Sequence, residues 1–349
     1  MVFKLNVQEI LERAKEARKL SSSCRLCPRK CGVNRTTREK GYCLTGAEIS
    51  IASIVPHFGE EPPISGNGGA GTIFFAHCNM RCVYCQNHQI SQGPIGFISA
   101  PEFLAGKMLG LQTRGCANIE PVSPSHQLPG FLEALALAVD QGLDLPVVYN
   151  SNGYESPETL DLLDGIVSVY LPDLKYADPR AAEKYSDALD YVDVARAAIQ
   201  RMYAQVGNLV VDMQGAALHG LIIRHLVLPG DVSGIEETLK WIRDNLSLNV
   251  TLSIMSQYSP LHKANNYKEI NRAISQEEYN RALDLAWDLG FENVYIQELE
   301  SPESGIPDFR LDNPFNWCER EKQTPIDKYG PERYAERDMV LHRRKEIRS

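Results

Sequence analysis

The chain has 349 residues, 43% of them apolar and 23% charged, which suits one large or two ordinary globular domains and excludes a disordered or collagenous chain. Lys and Arg number 36 against 45 Asp and Glu, a net charge of −9, which argues against non-specific nucleic-acid or membrane-surface binding by the chain as a whole. The N-terminus is charged throughout and no apolar run nears the ~18–20 residues of a bilayer span, so the expectation is no leader, no membrane contact and a cytoplasmic location.

Apolar residues at Ile10, Leu11, Ala14, Ala17 and Leu20 predict a helix over 7–20, broken by Ser21-Ser22-Ser23. Residues 24–43 are compact and basic: Arg25, Arg29, Lys30, Arg35, Arg38 and Lys40 are set against Glu39 alone. A strand is expected over 49–55 and a Gly- and Pro-rich loop over 57–71. In that loop Glu60-Glu61 reads as a solvated pair. Gly66 to Thr72 reads as a flexible turn, because it lacks the Gly-Lys-Ser/Thr end of a phosphate loop. From Thr72 strands and helices alternate. Strands are expected over 72–76, 117–122, 146–150, 166–171, 221–228, 249–255 and 293–297. Helices are expected over 101–111 with Ser99 as N-cap, over 127–141, from Ser156-Pro157, and over 192–206, 235–246 and 275–289. This alternation predicts βα units on a parallel sheet. Residues 319–349, with the basic Arg343-Arg344-Lys345, read as a solvated tail.

The nine cysteines are too few for a disulfide scaffold and are clustered, which reads as metal binding. The sharpest cluster is Cys78-Asn79-Met80-Arg81-Cys82-Val83-Tyr84-Cys85, a C-x3-C-x2-C loop directly after a predicted strand. Soft thiolates select zinc, copper(I) or iron–sulfur clusters. A closed site wants four ligands, and three sit here. A three-cysteine cluster leaves one iron open, with Tyr84 shielding a face. A structural zinc loop borrowing His77 or His88 is the alternative.

This loop resembles the signature of the radical S-adenosylmethionine (SAM) superfamily. The resemblance runs from about Cys24 to Glu300 and points to the pyruvate formate-lyase activating enzyme-like proteins, PflX-like branch. It is carried by Cys27-Pro28-Arg29-Lys30-Cys31-Gly32, His57-Phe58-Gly59-Glu60-Glu61-Pro62, Cys85-Gln86-Asn87, Tyr149-Asn150-Ser151-Asn152-Gly153-Tyr154, Leu171-Pro172-Asp173-Leu174-Lys175-Tyr176, the run Arg224 to Gly230 and Met255-Ser256-Gln257-Tyr258. It implies a [4Fe–4S] cluster on Cys78, Cys82 and Cys85, with SAM on the open iron. It implies cleavage of SAM to a 5′-deoxyadenosyl radical that takes hydrogen from a substrate, with an electron donor such as flavodoxin or ferredoxin. A glycyl-radical enzyme is the substrate suggested; a small molecule, peptide or RNA is the alternative, and a non-catalytic iron–sulfur or zinc protein the reading from another class. The resemblance also implies a cofactor role for Tyr84, Asn118 (in the run Gly115-Cys116-Ala117-Asn118, where the family carries Gly-Gly-Glu), Asn150, Ser151, Asp173, Lys175 and Arg224. His225 reads equally well as a core histidine.

Cys24, Cys27, Cys31 and Cys43 form a second four-thiol set, suited to zinc or to an auxiliary iron–sulfur cluster. Cys116 and Cys318 stand alone. The expected architecture is α/β. A helix and four-cysteine module over 1–48 precedes a partial TIM-type (β/α)6 barrel of radical SAM type over 49–300, and an extension covers 301–349.

Overall fold

The computed structural model describes residues 4–37, 39–297, 299, 306–315 and 340–342. Arg38, Cys318, the Arg343–Lys345 end and most of the expected 301–349 extension lie outside them.

Helix α1 (Val7–Ser22) opens with a capping box: the Glu9 N–H donates to the Asn6 side chain at 3.0 Å and the Asn6 N–H to the Glu9 carboxylate at 2.8 Å. The helix runs through the serines expected to end it. Ser21 and Ser22 donate back to the Ala17 and Lys19 carbonyls, so their hydroxyls are satisfied inside the helix.

After α1 the elements are β1 (Ile49–His57), α2 (Pro62–Ser65), β2 (Ala70–Phe75), α3 (His88–Ser91), β3 (Phe97–Ser99), α4 (Pro101–Thr113), β4 (Ile119–Val122), α5 (Leu128–Asp140), β5 (Val147–Ser151), α6 (Pro157–Leu163) and β6 (Val167–Pro172). They continue as α7 (Pro179–Ser186), α8 (Tyr191–Val206), β7 (Val210–Val211), β8 (Ala217–Leu226), α9 (Ile235–Asn245), β9 (Thr251–Met255), α10 (Gln276–Asp288), β10 (Val294–Ile296) and β11 (Val340–His342). The expected loop over 57–71 thus holds a buried helical turn. The expected N-cap at Ser99 falls instead in β3, where Ser99 pairs with Ile49. Ala100 precedes the helix without a side-chain cap; Pro101 starts the helix with its φ already set and no N–H to satisfy.

One sheet runs β3-β1-β2-β4-β5-β6-β8-β9-β10-β11, with β7 paired to β8. From β2 through β10 the neighbours are parallel; β1, β3, β7 and β11 join antiparallel. The sheet is open, with β3 and β11 at its edges, so the expected βα series is present without closure into a barrel. Each parallel neighbour is the next parallel strand in sequence, β3 and β7 lying between without joining the parallel run. With right-handed crossovers this puts the helices on one face. The main core lies there, joining Phe131, Leu160 and Ile199 of the helices to Ile73, Ile119 and Leu221 of the strands, with Ile10 and Leu26 of the N-terminal segment in the same cluster.

The other face is layered along the strands. Val148, Val169 and Ile222 pack beneath Ile64 of α2 as an apolar plug. Two residues further along, strand alternation returns the same face, and a polar layer follows: Thr72 and Asn150 hydrogen-bond to Glu120, and Arg224 pairs with Glu60. Beyond it lies a cavity lined by Phe74, Val122, Asn152, Asp173, Leu226 and Met255.

Candidate active site

The loop after β2 brings Cys78, Cys82 and Cys85 to the wall of this cavity, which holds about 280 Å³. His77 (φ 72°) turns the chain out of β2, and Ser123 (φ 45°) does the same after β4; both are left-handed non-glycine residues and both line the cavity. Such conformations persist only where the surroundings hold them.

Each thiol has a polar partner. The Met80 N–H and the Asn152 amide each donate to Cys78 Sγ at 3.4 Å, and the Ser186 hydroxyl donates to Cys82 Sγ at 3.0 Å. Cys85 Sγ meets Ser91 Oγ at 3.3 Å. Burial and the neighbouring thiols push Cys78 up to about 12 and Cys85 up to about 11. Cys78 and Cys85 held this way are poor thiolates alone. They carry donors that suit charged sulfur, so the set fits a soft metal centre that supplies the missing positive charge. Among the described residues, no three His, Cys, Asp or Glu side chains converge as a site for a single metal ion.

The same cavity is lined by Asp173 and Lys175, on the segment after β6, joined in an ion pair. Burial opposes the charge on Lys175, but the Asp173 carboxylate beside it holds the ammonium above its usual range. The segment is fixed by Tyr191, whose hydroxyl donates to the Asp173 and Asn152 carbonyls, both at 2.9 Å, and accepts from the Lys175 N–H at 3.1 Å. Gly153 (φ 81°) is required beside it, since a Cβ there would stand 2.3 Å from the Asp173 carbonyl. Tyr84, within the thiol loop, also lines the cavity. Its hydroxyl meets that of Tyr176 at 2.6 Å and its ring meets Tyr258 edge-on at 5.7 Å.

Beneath lies the ionic layer. Arg224 Nε donates to Glu61 at 2.7 Å, and its Nη2 pairs with both Glu60 and Glu61. Glu60 also pairs with His57 Nδ1 at 3.0 Å. Against the cost of burial, the Arg224 guanidinium and His57 hold the Glu60 carboxyl well below the usual range. Glu120 goes the other way: burial, and the nearby Glu60 charge, hold its carboxyl well above the usual range. It accepts from Thr72 Oγ1 and Asn150 Nδ2, both at 2.9 Å.

Of the residues singled out from the sequence, Cys78, Cys82, Cys85, Tyr84, Asn150, Asp173, Lys175 and Arg224 line the one cavity. Asn118 does not join them. It precedes β4, at the opposite end of that strand, where its amide donates to the Ile64 carbonyl at 2.7 Å and its own carbonyl accepts from Gly71. Val122 and Ser123 occupy the cavity end of β4. Ser151 also turns away, by the alternation of β5, and donates to the buried Glu155 at 2.7 Å. His225 is a core histidine, its Nδ1 2.7 Å from the Leu174 carbonyl. Glu60 and Glu61, expected in solvent, are buried around Arg224. Sequence reasoning missed Glu120, Asn152 and Ser186. Glu120 had a signal, as a carboxylate inside the short apolar strand Ile119–Val122.

Of the four N-terminal thiols, Cys24, Cys27 and Cys43 are buried and Cys31 is exposed. No helix among the described residues is long and apolar enough to cross a membrane.

No family model matches the chain. It is 33% identical over 288 residues to the uncharacterized protein MJ0674 of Methanocaldococcus jannaschii, an alignment covering 80% of this chain and 78% of that protein. Among solved structures it is similar to a radical SAM methyltransferase from Sphaerobacter thermophilus, with a TM-score of 0.46 and 11% identity over 70% of this chain and 69% of that one. It is also similar to Streptococcus suis SuiB bound to the precursor peptide SuiA, with a TM-score of 0.47 and 11% identity over 69% of this chain; it spans about half of SuiB, 52%.

Proposed function

We propose a function from one premise: the chain belongs to the family of the uncharacterized protein MJ0674 of Methanocaldococcus jannaschii. It is a radical SAM enzyme on a partial barrel. The observation that carries this reading is the joint placement of the C-x3-C-x2-C thiols and the Asp173–Lys175 pair around one cavity at the carboxyl ends of parallel strands. Cys78, Cys82 and Cys85 would hold a [4Fe–4S] cluster. When bound, such a cluster supplies one electron and an open iron for SAM, whose cleavage yields the 5′-deoxyadenosyl radical.

The chain's own contribution is binding and exclusion. Lys175, kept charged by Asp173, is a point charge for the SAM carboxylate. Asn152 and Ser186 donate to the sulfurs and steady their charge. Tyr84, with Tyr258 behind it, forms an aromatic wall. Phe74 and Phe315, with ring centroids 5.6 Å apart, also line the cavity and would narrow its access to water. Arg224, saturated on one side by Glu60 and Glu61, stiffens the floor. Asn150 is held by Glu120 on that floor. Asn118 and Ser151 have no place in this site.

The substrate we favour is the glycine Cα–H of a glycyl-radical enzyme, on the sequence resemblance; a flavodoxin or ferredoxin would supply the electron. The test is anaerobic loading with iron and sulfide, reduction, and titration with SAM followed by electron paramagnetic resonance. The reading expects the spectrum of the reduced cluster to change on SAM binding, and the change to be lost in Lys175→Met. A reduced cluster whose spectrum ignores SAM overturns it.

A further inference from the structure

We propose that Cys24, Cys27, Cys31 and Cys43 form a second, separate thiolate metal centre, taking an iron–sulfur cluster, whose several irons need no convergence of the thiols on one point, and that this centre braces the loop bearing Cys78, Cys82 and Cys85. Only the second half rests on the function proposed above.

The backbone gathers the thiols. The Cys24 N–H donates to the Val33 carbonyl at 2.9 Å and the Gly32 N–H to the Cys24 carbonyl at 3.1 Å, which folds the segment back and returns Cys31 beside Cys24. The turn between is tight, with the Lys30 N–H on the Cys27 carbonyl at 3.0 Å and both Lys30 (φ 40°) and Gly32 (φ 69°) left-handed. Gly41, two residues before Cys43, packs against Cys31, whose Sγ a Cβ at Gly41 would strike.

A second observation is independent of spacing. Cys24 accepts from the backbone of Leu26, and Cys27 from that of Arg29, each two residues ahead. The same pattern recurs at the other site, where Cys78 accepts from Met80 and Cys85 from Asn87. Backbone N–H groups aimed at sulfur stabilise thiolate, the form that binds metal. The buried Arg35 adds a fixed positive charge, its Nη1 4.0 Å from Cys24 Sγ.

The module reaches the other loop directly. Arg29, from the turn between Cys27 and Cys31, donates through Nε to the Asn79 carbonyl at 3.0 Å, between Cys78 and Cys82. Arg81, inside that loop, donates back to the Tyr42 carbonyl at 3.2 Å, beside Cys43. Both guanidinium groups stack on the Tyr42 ring, at 3.9 and 4.4 Å.

The test uses the full chain with Cys78→Ala, Cys82→Ala and Cys85→Ala combined, purified without oxygen, with zinc, iron and sulfide counted per folded chain. Iron with matching sulfide, retained here and lost on adding Cys24→Ser and Cys27→Ser, supports the centre. A folded triple variant that retains zinc without sulfide, or no metal, overturns it. The brace is read in a chain with all its cysteines, by hydrogen exchange over residues 78–91 in Arg29→Ala. Exchange there at least several-fold faster, with N-terminal metal retained, supports the brace. Unchanged exchange overturns it while leaving the metal centre and the proposed function standing.

Discussion

The side-chain amide of Asn152 donates to Cys78 Sγ at 3.4 Å and, with the same nitrogen, to Asn79 Oδ1 at 2.7 Å. One residue beyond β5 therefore holds the first thiol and its neighbour in place across the cavity mouth. Asn152→Ala removes both bonds without adding charge. Loss of an outer partner of this kind costs roughly 10- to 100-fold in metal affinity. We expect a loaded Asn152→Ala protein to release iron to a chelator at least about tenfold faster than wild type, with its circular dichroism unchanged. Equal release rates would remove Asn152 from the account.

Arg224 is the counter-charge for Glu60 and Glu61. Removing one partner of a buried ion pair typically costs about 3–5 kcal/mol, because the other charge stays buried. Arg224→Met should lower the thermal midpoint by on the order of 5–10 °C. Adding Glu60→Gln and Glu61→Gln should recover much of the loss. Differential scanning calorimetry on the cluster-free protein reads this; a triple variant no more stable than Arg224→Met contradicts the pairing.

Glu155 is buried behind β5 and accepts from Ser125 and Ser151 at 2.8 and 2.7 Å. Burial pushes its carboxyl from the ordinary 4.5 up to about 7. The folded state therefore binds this proton more tightly than the unfolded state. Its contribution to stability is full below pH 4.5 and is lost as pH rises through about 7, a loss of about 3 kcal/mol. Glu155→Gln keeps the acceptor and removes the titration. Denaturant unfolding should show it near wild-type stability at pH 4.5 and more stable by up to about 3 kcal/mol at pH 8. An equal slope of stability against pH in both proteins would exclude the effect.

Lys175 carries the charge offered to SAM, and Asp173 keeps it there. Lys175→Met should weaken SAM binding to the loaded, reduced protein by at least about tenfold, equivalent to about 1.4 kcal/mol, with iron content unchanged. Lys175→Arg should bind between the two, since it keeps the charge in a different shape. Titration calorimetry under anaerobic conditions distinguishes these; equal affinity in all three proteins would exclude a role for the charge.

The order of βα units and the thiol loop were legible because periodicity and cysteine spacing are local signals. Asn118 shows where that stops. Strand β4 has only four residues, so placing its start at 117 instead of 119 hides which end of the strand Asn118 occupies, and that decides whether it can reach the cavity. Glu60 and Glu61 read as solvated because their partner, Arg224, follows more than 160 positions later. Ser186 was invisible for the same reason: α7 brings it to Cys82 across 104 positions. The open sheet also lay beyond reach, since the alternation of strands and helices is the same whether or not the edges meet.

The central claim is SAM cleavage at the three-cysteine loop, and the most direct measurement is 5′-deoxyadenosine. Wild type and Cys82→Ala are loaded with iron and sulfide without oxygen, reduced, incubated with SAM for hours and assayed by chromatography. The account predicts product from wild type and none from the variant. A wild-type protein with a full, reduced cluster that yields no 5′-deoxyadenosine, or equal yields from both proteins, would contradict it.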